Sequence, residues 1–138
     1  MQTTRKLGRT IVVATSDRNL EETLRAQLAT DYRVECVRRG ADAILQMLEK
    51  EIDLLLVDID MSGQVGTEIL PVIRRLRPRL PVILISDDFT YRIRKTAAEQ
   101  GVTFQSIKPR SSDEALEIAA VMEKIIAQAN GFFTLSTL

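Results

Sequence analysis

The sequence predicts one doubly wound α/β domain with a five-stranded parallel sheet and five helices. Three observations lead to this fold class. Short apolar runs are typical of strands buried on both faces, the segments between them have helical periodicity, and 138 residues fit one domain. Right-handed crossovers then place helices on both sides of the sheet, for which the strand order 2-1-3-4-5 is common.

Five segments have the composition of strands. Four are rich in β-branched residues or leucine and end at a polar residue, so we expect them to be buried on both faces. They span residues 11–14, 53–57, 81–85 and 102–107. The fifth segment, residues 32–37, has Tyr32, Val34 and Cys36 on one side, which is typical of an edge strand.

The first three predicted helices carry apolar stripes that we expect to pack in the core. These stripes are Leu20, Leu24 and Leu28 in the first helix, Ile44, Leu45 and Leu48 in the second, and Ile69, Leu70, Ile73 and Leu76 in the third. Pro71 falls early enough in the third helix that its missing N–H costs little, and Pro78 ends that helix.

The last two predicted helices have clear end signals. The fourth, residues 91–100, ends at Gly101, which suits a left-handed cap, and the fifth begins with a capping box of Ser111 and Glu114. The fifth ends at Asn130-Gly131, and its predicted core face consists of Leu116, Ala119, Met122, Ile126 and Ala129. We expect one domain over residues 1–138, with its core at about 9–130 and a tail or the start of a linker at 131–138.

Composition narrows the functional class. The chain has 19 basic and 19 acidic side chains and no histidine, which gives no support for direct nucleic-acid binding and excludes histidine-based sites. Its one cysteine, Cys36, cannot form an internal disulfide, and the apolar run after the basic N-terminus is too short for a signal peptide or membrane span. We therefore expect a cytoplasmic protein with no membrane partner.

Polar side chains follow the predicted strands at the edge where ligands bind in open α/β sheets. They are Thr15, Ser16, Asp17, Asp58, Asp60, Ser86, Asp87, Asp88 and Lys108. In phosphoryl transfer, a carboxylate could act as the nucleophile while a cation neutralises the phosphoryl oxygens. Hydroxyl and ammonium groups would donate hydrogen bonds to the remaining oxygens. This edge is therefore a candidate phosphoryl-transfer site.

Three motifs in this order resemble those of response-regulator receiver domains in two-component signalling, the CheY-like family. The motifs are Asp58-Ile59-Asp60-Met61 with Gly63 and Gly66, the apolar run that ends at Ser86, and Lys108-Pro109. The resemblance covers about residues 9–130 and implies a flavodoxin-like fold. In the family, the Lys-Pro pair usually has a cis peptide bond.

The resemblance implies a role for each motif residue. Asp58 would accept a phosphoryl group from a sensor histidine kinase or a phosphotransfer protein, Ser86 would move toward that group, and Lys108 would contact its oxygens. The Asp58 side chain and the backbone carbonyl of Asp60 would bind Mg²⁺. The face of helix 4, strand 5 and helix 5 would then switch its affinity for a downstream protein target or output domain. It could also form a homodimer with ion pairs from Arg92, Arg94 and Lys95.

The sequence departs from the family after strand 1. Receivers usually carry two adjacent acidic residues there for Mg²⁺, whereas this chain has Thr15 and Ser16. Asp17 would reach the metal only with a register shift of one residue; otherwise it begins helix 1, where the helix dipole favours an acidic side chain. Because Mg²⁺ is bound mainly through carboxylates, we expect weak binding.

Further departures lie after strand 3 and in strand 5. Ser62 replaces the usual proline, and Val65 stands where an acidic or polar residue is common. Gln105 replaces the usual aromatic residue, and Phe104 is one position early. The sequence therefore does not predict the usual coupling between the hydroxyl residue and this aromatic side chain.

Each assignment has a simpler alternative. Asp58 could be a turn residue, Ser86 a loop cap and Lys108 a solvated lysine. The domain could also be a pseudo-receiver that acts by phosphorylation-independent protein contact, or a haloacid-dehalogenase-like phosphatase. The phosphatase family, however, carries its Asp-x-Asp motif on the first strand and a late acidic pair after a further strand. We favour a signalling domain rather than an enzyme, with Asp58 chemistry that depends weakly on metal.

Overall fold

Five parallel strands form one sheet in the computed structural model, which describes residues 8–61 and 66–129. The strands are β1 (Thr10–Ala14), β2 (Arg33–Val37), β3 (Leu54–Asp58), β4 (Val82–Ser86) and β5 (Phe104–Ile107). Their order is β2-β1-β3-β4-β5, and each neighbouring pair is parallel. The predicted fold class and strand order are confirmed.

Five α-helices cover the two faces of this sheet. They are α1 (Arg18–Leu28), α2 (Gly40–Glu49), α3 (Leu70–Leu76), α4 (Tyr91–Glu99) and α5 (Ser112–Ala129), and a 3₁₀ turn (Gly66–Ile69) precedes α3. α1 and α5 pack on one face through side chains such as Leu24 and Met122, and α2, α3 and α4 pack on the other through Met47, Ile73 and Ala97. The predicted end at Asn130-Gly131 and the tail 131–138 lie outside the described residues.

The central strands β1, β3 and β4 are buried along their whole length, as their apolar composition predicts. β2 is an edge strand, also as predicted. The prediction that the fifth strand is buried on both faces is wrong. Among the described residues, no strand pairs with the outer side of β5, and Phe104 and Ile107 are 37% and 56% exposed.

One predicted helix face is rotated from its expected position, and a second is correct only in part. In α2 the buried residues are Gly40, Ala43 and Met47, whereas Leu45 and Leu48 are 52% and 63% exposed. Because two of these buried residues are glycine and alanine, the core face of α2 contains less apolar bulk than its exposed face. In α5 the predicted Met122 and Ile126 are buried, together with Ala115 and Ile118, whereas Leu116 and Ala129 are exposed. Leu76 of α3 is also exposed.

Two of the predicted helix-end signals have the expected geometry, and the capping box of α5 forms only one of its two hydrogen bonds as expected. Asp17 is the N-cap of α1, and Gly101 has a φ of 64° after α4, where a side chain would be strained. At α5, Ser111 Oγ accepts a hydrogen bond from Glu114 N. The Glu114 carboxylate, however, accepts from Arg110 N, so the reciprocal half of the capping box is displaced by one residue.

Arg74 connects the C-terminal ends of α3 and α4. Its guanidinium donates hydrogen bonds to the backbone carbonyls of Gln100 at 2.7 Å, Gly101 at 2.8 Å and Leu80 at 2.6 Å. Carbonyls at a helix C-terminus have no partner within the helix, and Arg74 supplies one to Gln100 and Gly101. This side chain therefore fixes the end of α4 to the loop that precedes β4.

No helix within residues 8–61 and 66–129 has both the length and the apolar character needed to cross a membrane.

Candidate functional site

Asp58 is the last residue of β3 and lies at the carboxyl edge of the sheet. The strand register pairs Val57 with Ala14 of β1, and Asp58 with Ile85 of β4. The residues that follow these partners, Thr15 and Ser86, therefore lie beside Asp58 at the same edge. All three are buried, with exposed fractions of 1% for Asp58, 1% for Thr15 and 3% for Ser86. The expected convergence of polar side chains at this edge is present.

Three donors surround the carboxylate of Asp58. Thr15 Oγ1 donates to Asp58 Oδ2 at 2.7 Å, and the backbone N–H of Asp60 donates to Asp58 Oδ1 at 3.0 Å. The ammonium of Lys108 lies 3.0 Å from the same Oδ1. A buried carboxylate needs such compensation, and Asp58 receives it from one cation and two neutral donors.

Lys108 is a buried cation rather than a solvated lysine. It is 9% exposed, and its ammonium also lies 3.5 Å from the exposed carboxylate of Asp60. Burial alone would lower the pKa of Lys108, but the hydrogen bond to Asp58 and the negative charges of Asp58, Asp60 and Asp87 outweigh burial. They raise the pKa above its ordinary value. The ammonium therefore stays charged at neutral pH.

The Lys108-Pro109 bond differs from the usual family form. Cis peptide bonds are absent from the described residues, so this bond is trans. The trans form is the more stable one for most bonds that precede proline.

Ser86 has the role of a loop cap in this structure. Its hydroxyl donates to the carbonyl of Asp88 at 2.9 Å and accepts from the N–H of Asp88 at 3.1 Å. Next to it, Asp87 forms a 2.6 Å ion pair with Arg110, which joins the loops that follow β4 and β5. Ser86 is therefore close to Asp58 in the sheet, but its hydroxyl is engaged elsewhere.

Asp17, the third candidate metal ligand, is exposed and caps α1. Its carboxylate accepts hydrogen bonds from the N–H groups of Asn19 and Leu20, at 3.0 and 3.2 Å. Its own N–H donates to Thr15 Oγ1 at 3.1 Å. The simpler interpretation of Asp17, as an acidic residue at a helix start, matches this geometry.

Thr15 has a role that sequence reasoning misses. The sequence shows only that a carboxylate is lacking at this position, whereas the structure gives the hydroxyl a partner in Asp58. The signal is in the pairing of β1 with β3, because Ala14 pairs with Val57 and the next residues then meet. Three residues that bear on the family motif, Ser62, Gly63 and Val65, lie outside the described part of the chain.

The donors around Asp58 do not fit a tightly bound divalent cation. Mg²⁺ requires a near-octahedral set of oxygen ligands, mainly carboxylates and waters. Asp58 is the one buried carboxylate among the described residues, and Thr15, Asp60 N–H and Lys108 already surround it. Residues 8–61 and 66–129 contain no group of three acidic, histidine or cysteine side chains arranged to hold a metal ion.

Comparison with known proteins gives one consistent family. The response regulator receiver domain profile matches residues 11–120. The transcriptional regulatory protein ZraR of Salmonella typhimurium is 30% identical over 96 residues, which cover 70% of this chain and 21% of ZraR. The chain therefore spans about a fifth of the length of this relative.

Solved structures show the same fold. The signal receiver domain of an HD domain-containing protein from Pseudomonas fluorescens has a TM-score of 0.79 at 18% identity, over 88% of this chain and 89% of that one. Response regulator TrrA from Thermotoga maritima, in complex with Mg²⁺-BeF, has a TM-score of 0.70 at 23% identity, over 83% and 98%. With the profile match over most of its length, the chain belongs to the response regulator receiver domain family.

Proposed function

We propose that Asp58 is the phosphoacceptor of this receiver domain. The donor would be the phosphohistidine of a sensor histidine kinase or of a phosphotransfer protein. One observation carries the proposal: the Asp58 carboxylate is buried at the carboxyl edge of the sheet, 3.0 Å from the ammonium of Lys108. An anionic nucleophile beside a fixed cation at this edge suits phosphoryl transfer.

The proposed reaction transfers one phosphoryl group between two side chains. An oxygen of Asp58 attacks phosphorus, the bond from phosphorus to the imidazole nitrogen breaks, and its electron pair stays on the imidazole. The product is an acyl phosphate on Asp58. Lys108 stabilises the negative charge of the transferred oxygens, and its buried position makes that interaction stronger than it would be in water.

Ser86 contributes only after a rearrangement. Its hydroxyl must release the carbonyl of Asp88 before it can donate to a phosphoryl oxygen. Asp88 lies two residues before Thr90, the N-cap of α4. The loss of this hydrogen bond would therefore loosen the loop that leads into α4, which connects the reaction to the proposed switch face.

We propose that Mg²⁺ binds weakly at this site. Its ligands would be the Asp58 carboxylate and the backbone carbonyl of Asp60, with Asp17 available only if it releases the N-terminus of α1. The Mg²⁺-BeF complex of TrrA supports divalent metal binding in the family. The single buried carboxylate here supports weaker dependence on metal.

The proposed switch face consists of α4, β5 and α5. Phe104 and Ile107 of β5 are exposed, and with α5 they line a shallow cavity of about 290 Å³ that also includes Glu114 and Glu117. This surface suits a downstream protein or output domain that offers apolar and basic side chains. A second copy of the chain could supply basic groups from its own α4, through the exposed Arg92, Arg94 and Lys95.

The relatives support an output in gene regulation, since ZraR is a transcriptional regulatory protein. We propose that any contact with DNA belongs to an output domain or a separate protein, because this chain has equal numbers of basic and acidic side chains. A cytoplasmic location is part of the same proposal.

Intact mass spectrometry after incubation with acetyl phosphate tests the phosphoacceptor. Wild type, Asp58→Asn and the control Asp42→Asn, an exposed acid in the first turn of α2, are each compared with Mg²⁺ and with a chelator. We expect a single phosphoryl adduct in the wild type and the control, and none in Asp58→Asn. Absence of an adduct under every condition would favour the pseudo-receiver, and continuous release of phosphate would favour the phosphatase.

A further inference from the structure

The hydroxyl of Thr15 is placed to orient Asp58. Thr15 Oγ1 lies 2.7 Å from Asp58 Oδ2, and both residues are 1% exposed. An ionised carboxylate only accepts, so the hydroxyl donates this hydrogen bond. The N–H of Asp17 donates to the same hydroxyl oxygen at 3.1 Å and fixes the orientation of Thr15.

The two oxygens of Asp58 have different partners. Oδ1 accepts from the N–H of Asp60 and lies next to the ammonium of Lys108. Oδ2 accepts from Thr15, which is its hydrogen-bond donor in the described part of the chain. Without the hydroxyl, the polar contacts that remain within the described part of the chain would both be to Oδ1, and the carboxylate could rotate about its bond to Cβ.

We propose that Thr15 is a positioning residue that orients Asp58 by hydrogen bonding, so that the carboxylate holds its reactive orientation without a divalent cation. This inference rests on the proposed function where it concerns reactivity. It rests on the geometry alone where it concerns orientation and metal binding.

Charge balance explains why a hydroxyl suits this position. The buried groups are one carboxylate, Asp58, and one ammonium, Lys108, so their charges already cancel. A carboxylate at position 15 would lie within hydrogen-bonding distance of Asp58 and add a second buried negative charge, which would require a further cation. Threonine supplies the hydrogen bond without adding charge.

The metal part of the inference is tested without phosphorylation. Mn²⁺ binding is measured by the loss of the free-ion signal in electron paramagnetic resonance. We expect weak binding at Asp58 in the wild type, binding at least about 10-fold tighter in Thr15→Asp, and loss of that binding in Thr15→Asp with Asp58→Asn. The inference is overturned if Thr15→Asp binds Mn²⁺ no more tightly than the wild type does.

The positioning part is tested by the rate of acetyl phosphate labelling in a chelator. Thr15→Val should label about 10- to 100-fold more slowly, the effect of one hydrogen bond to a charged group, while Thr15→Ser retains the hydroxyl and most of the rate. Thr10→Val is the matched control, a buried threonine at the opposite end of β1. Labelling of Thr15→Val at the wild-type rate would overturn the inference.

A spectroscopic measurement separates this inference from the proposed function. In ¹³C NMR of aspartate-labelled protein, the carboxyl resonance absent from Asp58→Asn belongs to Asp58. This resonance should shift in Thr15→Val and return toward its wild-type position in Thr15→Ser; an unchanged resonance in Thr15→Val would overturn the inference. If the wild type accepts no phosphoryl group, the proposed function fails, whereas the NMR and Mn²⁺ results still decide the role of Thr15.

Discussion

Replacing Lys108 with methionine removes the cation that balances the buried carboxylate of Asp58. The two charged groups are 3.0 Å apart, and their side chains are 10% and 1% exposed. At an effective dielectric constant of about 20, unit charges at this distance attract by roughly 5–6 kcal/mol. Desolvation of both groups offsets part of that attraction, but removal of one partner leaves the other buried and unpaired, which typically costs about 3–5 kcal/mol.

The remaining contacts decide where in that range the variant falls. Thr15 and the Asp60 N–H still donate to Asp58, so we expect Lys108→Met to lower the free energy of unfolding by about 3 kcal/mol. For a domain of this size, the loss corresponds to a decrease in Tm of roughly 10 °C. Asp58→Asn should cost less, because Lys108 keeps a contact of 3.5 Å with Asp60.

Urea unfolding of the two single variants and the double variant measures the coupling between Lys108 and Asp58. We expect a coupling energy of at least about 1 kcal/mol, because the residues are in direct contact. Lys50→Met is the matched control: its ion pair with Glu35 is 3.1 Å long, but the side chains are 37% and 36% exposed. Solvent screening should limit that loss to about 1 kcal/mol. A coupling near zero, or equal losses for Lys108→Met and Lys50→Met, would refute the reasoning.

Three other predictions concern stability. Because the pKa of Lys108 is raised in the folded protein, its charge stabilises the fold fully below pH 10.5, the ordinary value, and this stabilisation is lost as pH rises through the raised value. The difference in free energy of unfolding between wild type and Lys108→Met, measured with urea, should therefore become smaller above pH 10.5. A constant difference would contradict this. Arg74→Ala should lose about 2–4 kcal/mol through its three short hydrogen bonds, and the exposed control Arg75→Ala about 0.5 kcal/mol or less. In thermal unfolding, Met47→Ala should lower the free energy of unfolding by about 2–5 kcal/mol, and Leu48→Ala should lower it far less. A larger loss for Leu48→Ala would mean that the face of α2 predicted from the sequence is the buried one.

The sequence predicts the central strands well because each is buried on both faces, and burial on both faces produces a continuous apolar run. The exposure of β5 is harder to predict, since Val102, Phe104 and Ile107 have the same apolar character in an edge strand as in a central one. In α2 the small residues Gly40 and Ala43 share the buried face with Met47, so apolar bulk alone selects the wrong side.

The sequence also predicts where the site lies, because Asp58, Ser86 and Lys108 follow apolar runs whose carboxyl ends must meet in a parallel sheet. The partners of these side chains do not follow from that argument. The Thr15 hydrogen bond depends on the register between β1 and β3, and the Ser86 contact depends on the conformation of the loop that follows it. Both are properties of tertiary geometry rather than of residue type.

The hydrogen bonds from Arg74 hold the C-terminal end of α4 at Gln100 and Gly101, so a tilt of this helix would move mainly its N-terminal end. In this helix Ala97 is fully buried and Ile93 is partly buried against the core, and its nine residues span about 13–14 Å. A tilt of α4 by about 10° about its C-terminal end would move the end near Thr90 by about 2 Å, because displacement grows with distance from the fixed end. Tyr91 lies at this N-terminal end and is 81% exposed. A change in the loop after Ser86 that tilts α4 would therefore displace an aromatic side chain at the protein surface.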